Sequence, residues 1–83
     1  LCGGSGKSLI YNALGMKADL YFTGDLGYHD FFLPAGRMLL ADIGHFESEQ
    51  YTSDLLERVI KEKFPTFAVL KTGRYTNPVN YFL

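Results

Sequence analysis

Two short apolar runs, DLYFTGD at 19–25 and MLLADIG at 38–44, set the strongest limit on what this chain can become. Each alternates or clusters residues suited to a pleated, covered strand, and each runs into a turn containing aspartate and glycine. A third run, TFAVLKT at 66–72, has the same character. Stretches with helical spacing stand between them. In SLIYNALGMKA at 8–18, Leu9, Ile10, Ala13 and Leu14 fall at helical intervals, with Ser5 as N-cap and Gly15 as terminator. YHDFFLPAGR at 28–37 reads as a helix weakened by Pro34. ESEQYTSDLLERVIKEKF at 47–64 is the clearest helix, with Tyr51, Leu55, Leu56, Val59 and Ile60 on one face and Pro65 to stop it. Helix alternating with strand predicts an α/β fold, layered α/β/α, around a largely parallel or mixed sheet. MLLADIG is apolar enough to be covered on both faces. RYTNPVNYFL at 74–83 is an aromatic tail that Asn77-Pro78 keeps out of regular structure.

The first residues, LCGGSGKS, pose a separate question, because Gly6-Lys7-Ser8 ends like a phosphate-binding Walker A loop. That motif requires its first glycine where Leu1 stands, and a strand ahead of the loop. The sequence begins instead with the glycine turn, as though a strand lay just before Leu1. The expectation is a strand-to-helix turn that does not take nucleotide phosphates, with Lys7 and Ser8 as surface and helix-start residues.

Composition narrows the function. The 83 residues are enough for one small domain or a piece of a larger one. With 47% hydrophobic and 16% aromatic residues, so short a chain would leave apolar side chains wet unless something covers them. A net charge of −1 without a basic stripe gives no support to nucleic-acid or anionic-membrane binding. No apolar run approaches the ~20 residues of a membrane span. The single cysteine, Cys2, allows no internal disulfide and fits a reducing compartment, so the chain reads as soluble and cytoplasmic. Cys2 itself reads as a small packed residue.

Chemistry-bearing residues gather after the two strands. In LLADIGHFESEQ, Asp42, His45 and Glu49 follow the second strand, at the start of the longest helix, where open α/β sheets place ligands. His45 and Glu49 are four apart, so a helix beginning by Gly44 projects both from one face, where an imidazole and a carboxylate can share a divalent cation. The plain alternative is that Glu47 and Glu49 complement a helix N-terminus and His45 lies on the surface. In YFTGDLGYHD, Asp25, His29 and Asp30 follow the first strand. They would reach the same sheet edge, or simply close a turn and cap the next helix.

CGGSGKSLI, ADLYFTGDLGYHD, LLADIGHFESE and TNPVNYF, in this order and spacing, resemble the C-terminal portion of the Nif-three-like family, the GTP cyclohydrolase 1 type 2 family. The resemblance covers essentially all 83 residues, which would form one C-terminal part, 1–83, of the family domain. It implies an α/β protein with two divalent metal ions per full-length chain, of zinc, iron, manganese, nickel or magnesium type, assembled into ring-like homo-oligomers, commonly hexamers. The family's G-H-x-x-x-E motif maps its metal-binding histidine and glutamate onto His45 and Glu49. Asp25 and His29 match positions near the metal cleft and are the catalytic candidates, for contacting substrate or moving protons. The remaining ligands, a His-His pair and an aspartate, belong to the family's N-terminal part. The implied activity is hydrolysis by metal-activated water, with a metal-binding oligomeric scaffold without turnover as the alternative. By itself the 83-residue chain would then hold an incomplete site and be catalytically silent.

Overall fold

A computed structural model describes residues 1–82; Leu83, the last residue of the aromatic tail, lies outside the described residues. The chain divides into two compact units, Leu1–Glu49 and the residues from Gln50 on.

In the first unit, β1 (Leu20–Thr23) and β2 (Leu39–Asp42) pair in parallel, Leu20 with Leu39 through Thr23 with Asp42. Both lie inside the runs that the sequence marks as strands, and their parallel pairing is the one the helix–strand alternation predicts. The glycine turn lies along the other edge of β1. Cys2 N–H donates to the Phe22 carbonyl (2.9 Å), Gly24 N–H donates to the Gly4 carbonyl (2.7 Å), and Ser5 bridges Gly24 in parallel. Thus β1 is flanked on both sides. The period of two places Tyr21 and Thr23 in the interior, whereas Leu20 and Phe22 face outward.

The covered face packs on a short helix. A 3₁₀ turn at Lys7–Leu9 leads into α1 (Ile10–Gly15), whose fully buried Ile10 meets Tyr21 and Met38. Ala13, Leu14, Leu33 and Leu40 surround this core, partly buried. Among the described residues, Thr23 is the one polar residue that is buried. The Thr23 hydroxyl donates to the Gly4 carbonyl (3.0 Å) and accepts from Gly6 N–H (2.8 Å), while the Tyr21 hydroxyl donates to the Gly6 carbonyl (2.9 Å). Among the described residues no buried side-chain nitrogen or oxygen lacks a hydrogen-bond partner.

Several local expectations need correction. Ser5 does not cap the first helix; it is engaged in the bridge to Gly24, and Gly6 precedes the 3₁₀ turn. The helix does end at Gly15, as expected, with the left-handed position taken two residues later by Lys17 (φ 56°), as Ala18 N–H turns back to the Ala13 carbonyl (3.1 Å). The run 28–37 is a 3₁₀ turn at Tyr28–Phe32 followed by tight turns, since Pro34 offers no N–H to extend a helix. β2 is not covered on both faces. Leu39 is 72% exposed, because α1 and its turn pack against one side of this small sheet only.

The helix expected over 47–64 is two, α2 (His45–Glu49) and α3 (Thr52–Lys63), parted by a turn at Gln50 and Tyr51. The run Thr52-Ser53-Asp54 favours a helix start over a helix interior, because these side chains compete for nearby backbone groups. In the second unit α3 carries Asp54 in its first turn and Lys61 and Lys63 in its last, as the helix dipole prefers. Lys61 pairs with Glu57 one turn away (2.7 Å), and Lys71 pairs with Asp54. Leu55, Leu56, Val59 and Ile60 form an apolar but exposed stripe. TFAVLKT is not a strand. No neighbouring strand pairs with it among the described residues, and Leu70 is 93% exposed; apolar composition alone cannot hold an unpaired strand. Asn77 accepts from Val79 N–H (3.1 Å), a side-chain turn in keeping with the break at Asn77-Pro78. Among the described residues, no helix is long and apolar enough to cross a membrane.

Candidate functional site

Parallel pairing delivers the ends of β1 and β2 to one edge, and the two loops that leave it are bound together by Asp42. One carboxylate oxygen accepts from Leu26 N–H after β1, the other from Gly44 N–H after β2, both at 2.9 Å. The loops also meet backbone to backbone. A Cβ at Gly24 would lie 2.8 Å from the His45 nitrogen and 2.9 Å from the Gly44 carbonyl carbon, so only glycine fits. Gly44, at φ 86°, turns β2 into α2.

This frame brings three of the sequence-derived candidates into contact. Asp25, itself left-handed at φ 55°, places Oδ2 2.5 Å from His45 Nδ1. His45 Nε2 lies 3.2 Å from Glu49 Oε2, the one-turn spacing realised on α2. The three side chains are about half exposed, at 57%, 47% and 50%, so the cluster opens to solvent. The hydrogen bond to Asp25 raises the His45 pKa; desolvation opposes this, and the charges of Asp25 and Glu49 add to it.

His29 is not joined to this group. It lies on the 3₁₀ turn, exposed, with its ring edge-on to Tyr28 at 5.2 Å, and no hydrogen bond or ion pair ties it to Asp25, His45 or Glu49 among the described residues. Asp30 turns inward to accept from Gly27 N–H (2.7 Å), a local cap. Asp42 is committed to its two loop amides.

Two participants escaped the sequence reading. Ser48 accepts from Gly4 N–H (2.8 Å) and donates to the His45 carbonyl (2.9 Å), pinning the glycine turn to α2. Gly4, at φ 67°, lies over the site; a Cβ there would be 2.5 Å from Glu49 Oε1 and 3.2 Å from His45 Nε2. The absent side chain leaves room beside both groups. Two of the turn's amides are occupied within the fold, Gly4 by Ser48 and Gly6 by Thr23, and these two are not free to wrap a phosphate. The only local signal for Ser48 is its place three residues after His45, which the sequence does not distinguish from an ordinary helix surface position.

Among the described residues, no group of three or more His, Cys, Asp or Glu side chains is arranged to hold a metal ion. His45 and Glu49 offer one nitrogen and one oxygen donor beside the space at Gly4. That donor pair fits part of a divalent-cation shell, whose remainder must come from elsewhere.

Comparison with known proteins places this arrangement. The chain is 35% identical over 83 residues to a GTP cyclohydrolase 1 type 2 homolog of Campylobacter jejuni, covering 99% of this chain and 32% of that protein. It is 34% identical over 86 residues to a GTP cyclohydrolase 1 type 2 homolog of Streptococcus pneumoniae, 98% of this chain and 32% of the relative. It is 38% identical over 77 residues to NIF3-like protein 1 of Dictyostelium discoideum, 89% of this chain and 19% of the relative. The chain thus spans a third or less of the length of these relatives. The sequence model of one family matches residues 1–78, nearly the whole of the chain, which therefore belongs to Duf34/NIF3 (NGG1p interacting factor 3).

Proposed function

We propose that the full-length protein carrying this chain is a divalent-metal-dependent hydrolase, with His45 and Glu49 as two of its metal ligands. The observation that carries this reading is the approach of His45 Nε2 and Glu49 Oε2 to 3.2 Å, next to space that any side chain at position 4 would fill. When bound, a divalent pair supplies Lewis acidity and lowers the pKa of water. The chain's own residues hold and orient. His45 gives a nitrogen donor from the first turn of α2, Glu49 gives a carboxylate from the same face, and Ser48 pins the glycine turn beside both. The residues that follow β1 carry Asp25, which contacts the His45 ring, and His29, a group available for moving protons. The names of the relatives point to a GTP cyclohydrolase-like substrate class.

Leu20, Phe22 and Leu39 on the outward sheet face are exposed and apolar, a surface for a second copy or for the rest of the full-length chain to cover, and we extend the proposal to a cytoplasmic ring-like homo-oligomer, a hexamer, with two divalent ions per full-length chain. A metal-binding scaffold without turnover shares the metal and the ring but lacks a substrate. The test is metal analysis of full-length protein and its His45→Ala variant, with a hydrolase screen that includes GTP. The expected result is strong loss of metal in the variant, while the chelator-treated variant and wild type melt at similar temperatures, because a half-exposed side chain carries little packing and only bound metal adds stability. Full metal content in the variant would overturn the ligand assignment; metal and oligomer with no substrate turned over would favour the scaffold.

A further inference from the structure

We propose that Asp25 is a positioning residue that fixes the tautomer and orientation of the His45 ring, rather than a group that moves protons to or from substrate. The inference rests on the reading of His45 and Glu49 as ligands and deepens it by separating Asp25 from His29.

The argument starts from donor chemistry. An ionised carboxylate only accepts hydrogen bonds, so at 2.5 Å from Asp25 Oδ2 the His45 Nδ1 carries the proton. The other ring nitrogen, Nε2, also faces a carboxylate, Glu49 Oε2, but at the longer distance of 3.2 Å, so in the neutral ring the single proton stays at the closer Asp25 contact and Nε2 holds the lone pair. That nitrogen is the one beside Glu49 Oε2, under the space at Gly4. The ring therefore presents its lone pair on the side where an ion can be shared, and the carboxylate grips it from the other. Ligating histidines are commonly held in this way, and loss of such a partner weakens metal binding.

The backbone around Asp25 is built to hold this pose. Its φ of 55° is a left-handed position, uncommon for residues other than glycine and tolerated best by aspartate and asparagine. Both neighbours are fixed: Gly24 N–H donates to the Gly4 carbonyl, and Leu26 N–H donates to Asp42. Gly24 also lies directly against the His45 backbone. A proton-moving group must reach the reacting atoms; Asp25 is engaged behind the ring, whereas among the described residues no hydrogen bond holds His29.

The experiment compares full-length wild type with Asp25→Gly and Asp25→Asn. Glycine removes the carboxylate without a backbone penalty at this φ, and asparagine keeps the left-handed preference while losing the acceptor-only character. In chelator-treated protein labelled at histidine nitrogen, long-range proton–nitrogen correlation in the alkaline range reads the tautomer of neutral His45, its signal identified by its loss in His45→Ala. Wild type should show the proton on Nδ1. Both Asp25 variants should shift it toward Nε2, and titration with cobalt(II) alone should show affinity lower by about 10–100-fold. Melting temperatures near that of wild type exclude unfolding as the cause. If the tautomer and the cobalt affinity are unchanged in both variants while His45→Ala loses the metal, the positioning role is wrong and the ligand reading stands. If His45→Ala keeps full affinity, the ligand reading fails, and the metal-free tautomer still judges the Asp25–His45 contact on its own.

Discussion

In the Leu1–Glu49 unit one buried hydroxyl, that of Thr23, serves both an amide and a carbonyl of the glycine turn, whereas α3 in the second unit is braced by exposed lysines on Asp54 and Glu57. The first kind of contact is hard to lose. Water cannot replace it without opening the fold, and an unsatisfied partner left inside costs more than the bond itself contributes. The second kind competes with solvent at every moment and adds little. The difference teaches where geometry is held. The candidate site belongs to the first unit, in which β1 is flanked on both sides and its side chains hold the turn. The second unit presents an amphipathic helix whose apolar stripe is still in water.

Three substitutions in the 83-residue chain sharpen this contrast, each read by urea unfolding followed by circular dichroism. Ile10→Ala should have the largest effect, a loss of about 2–5 kcal/mol, since Ile10 is fully buried at the centre of a three-residue core. Thr23→Val should follow at about 1–3 kcal/mol, because the shape is kept while the Gly6 amide and Gly4 carbonyl lose their shared hydroxyl. Leu56→Ala should be nearly silent, within about 0.5 kcal/mol, as Leu56 is 55% exposed on α3. A Leu56→Ala loss as large as that of Ile10→Ala would break the comparison, and a silent Thr23→Val would break it from the other side.

What could be read from the sequence follows the range over which each signal acts. The alternation in Leu20-Tyr21-Phe22-Thr23 and the run Leu39-Leu40-Ala41-Asp42 are local patterns, and both became strands. The spacing of His45 and Glu49 needs only one helical turn, and it holds even though the helix carrying them ends at Glu49. TFAVLKT has an equally good local pattern, but a strand also needs a partner, which composition does not record. Asp42 and Ser48 were opaque for a related reason. Asp42 reaches back 16 residues to Leu26, and Ser48 reaches back 44 residues to Gly4, so neither role has a signature in neighbouring residues. Ser5 was misread because it answers to the pairing along the edge of β1, not to helix-capping preferences.

The two-handed grip of Asp42 on Leu26 and Gly44 has a thermodynamic consequence for recognition. Loops that are free before a ligand arrives lose conformational entropy when it binds, and that loss is subtracted from the affinity. Here the loops after β1 and β2 are already joined to one carboxylate and to each other through Gly24, so most of the ordering has taken place during folding. Association at this edge then resembles insertion into a preorganised cleft, with a small entropic penalty and little change in backbone shape.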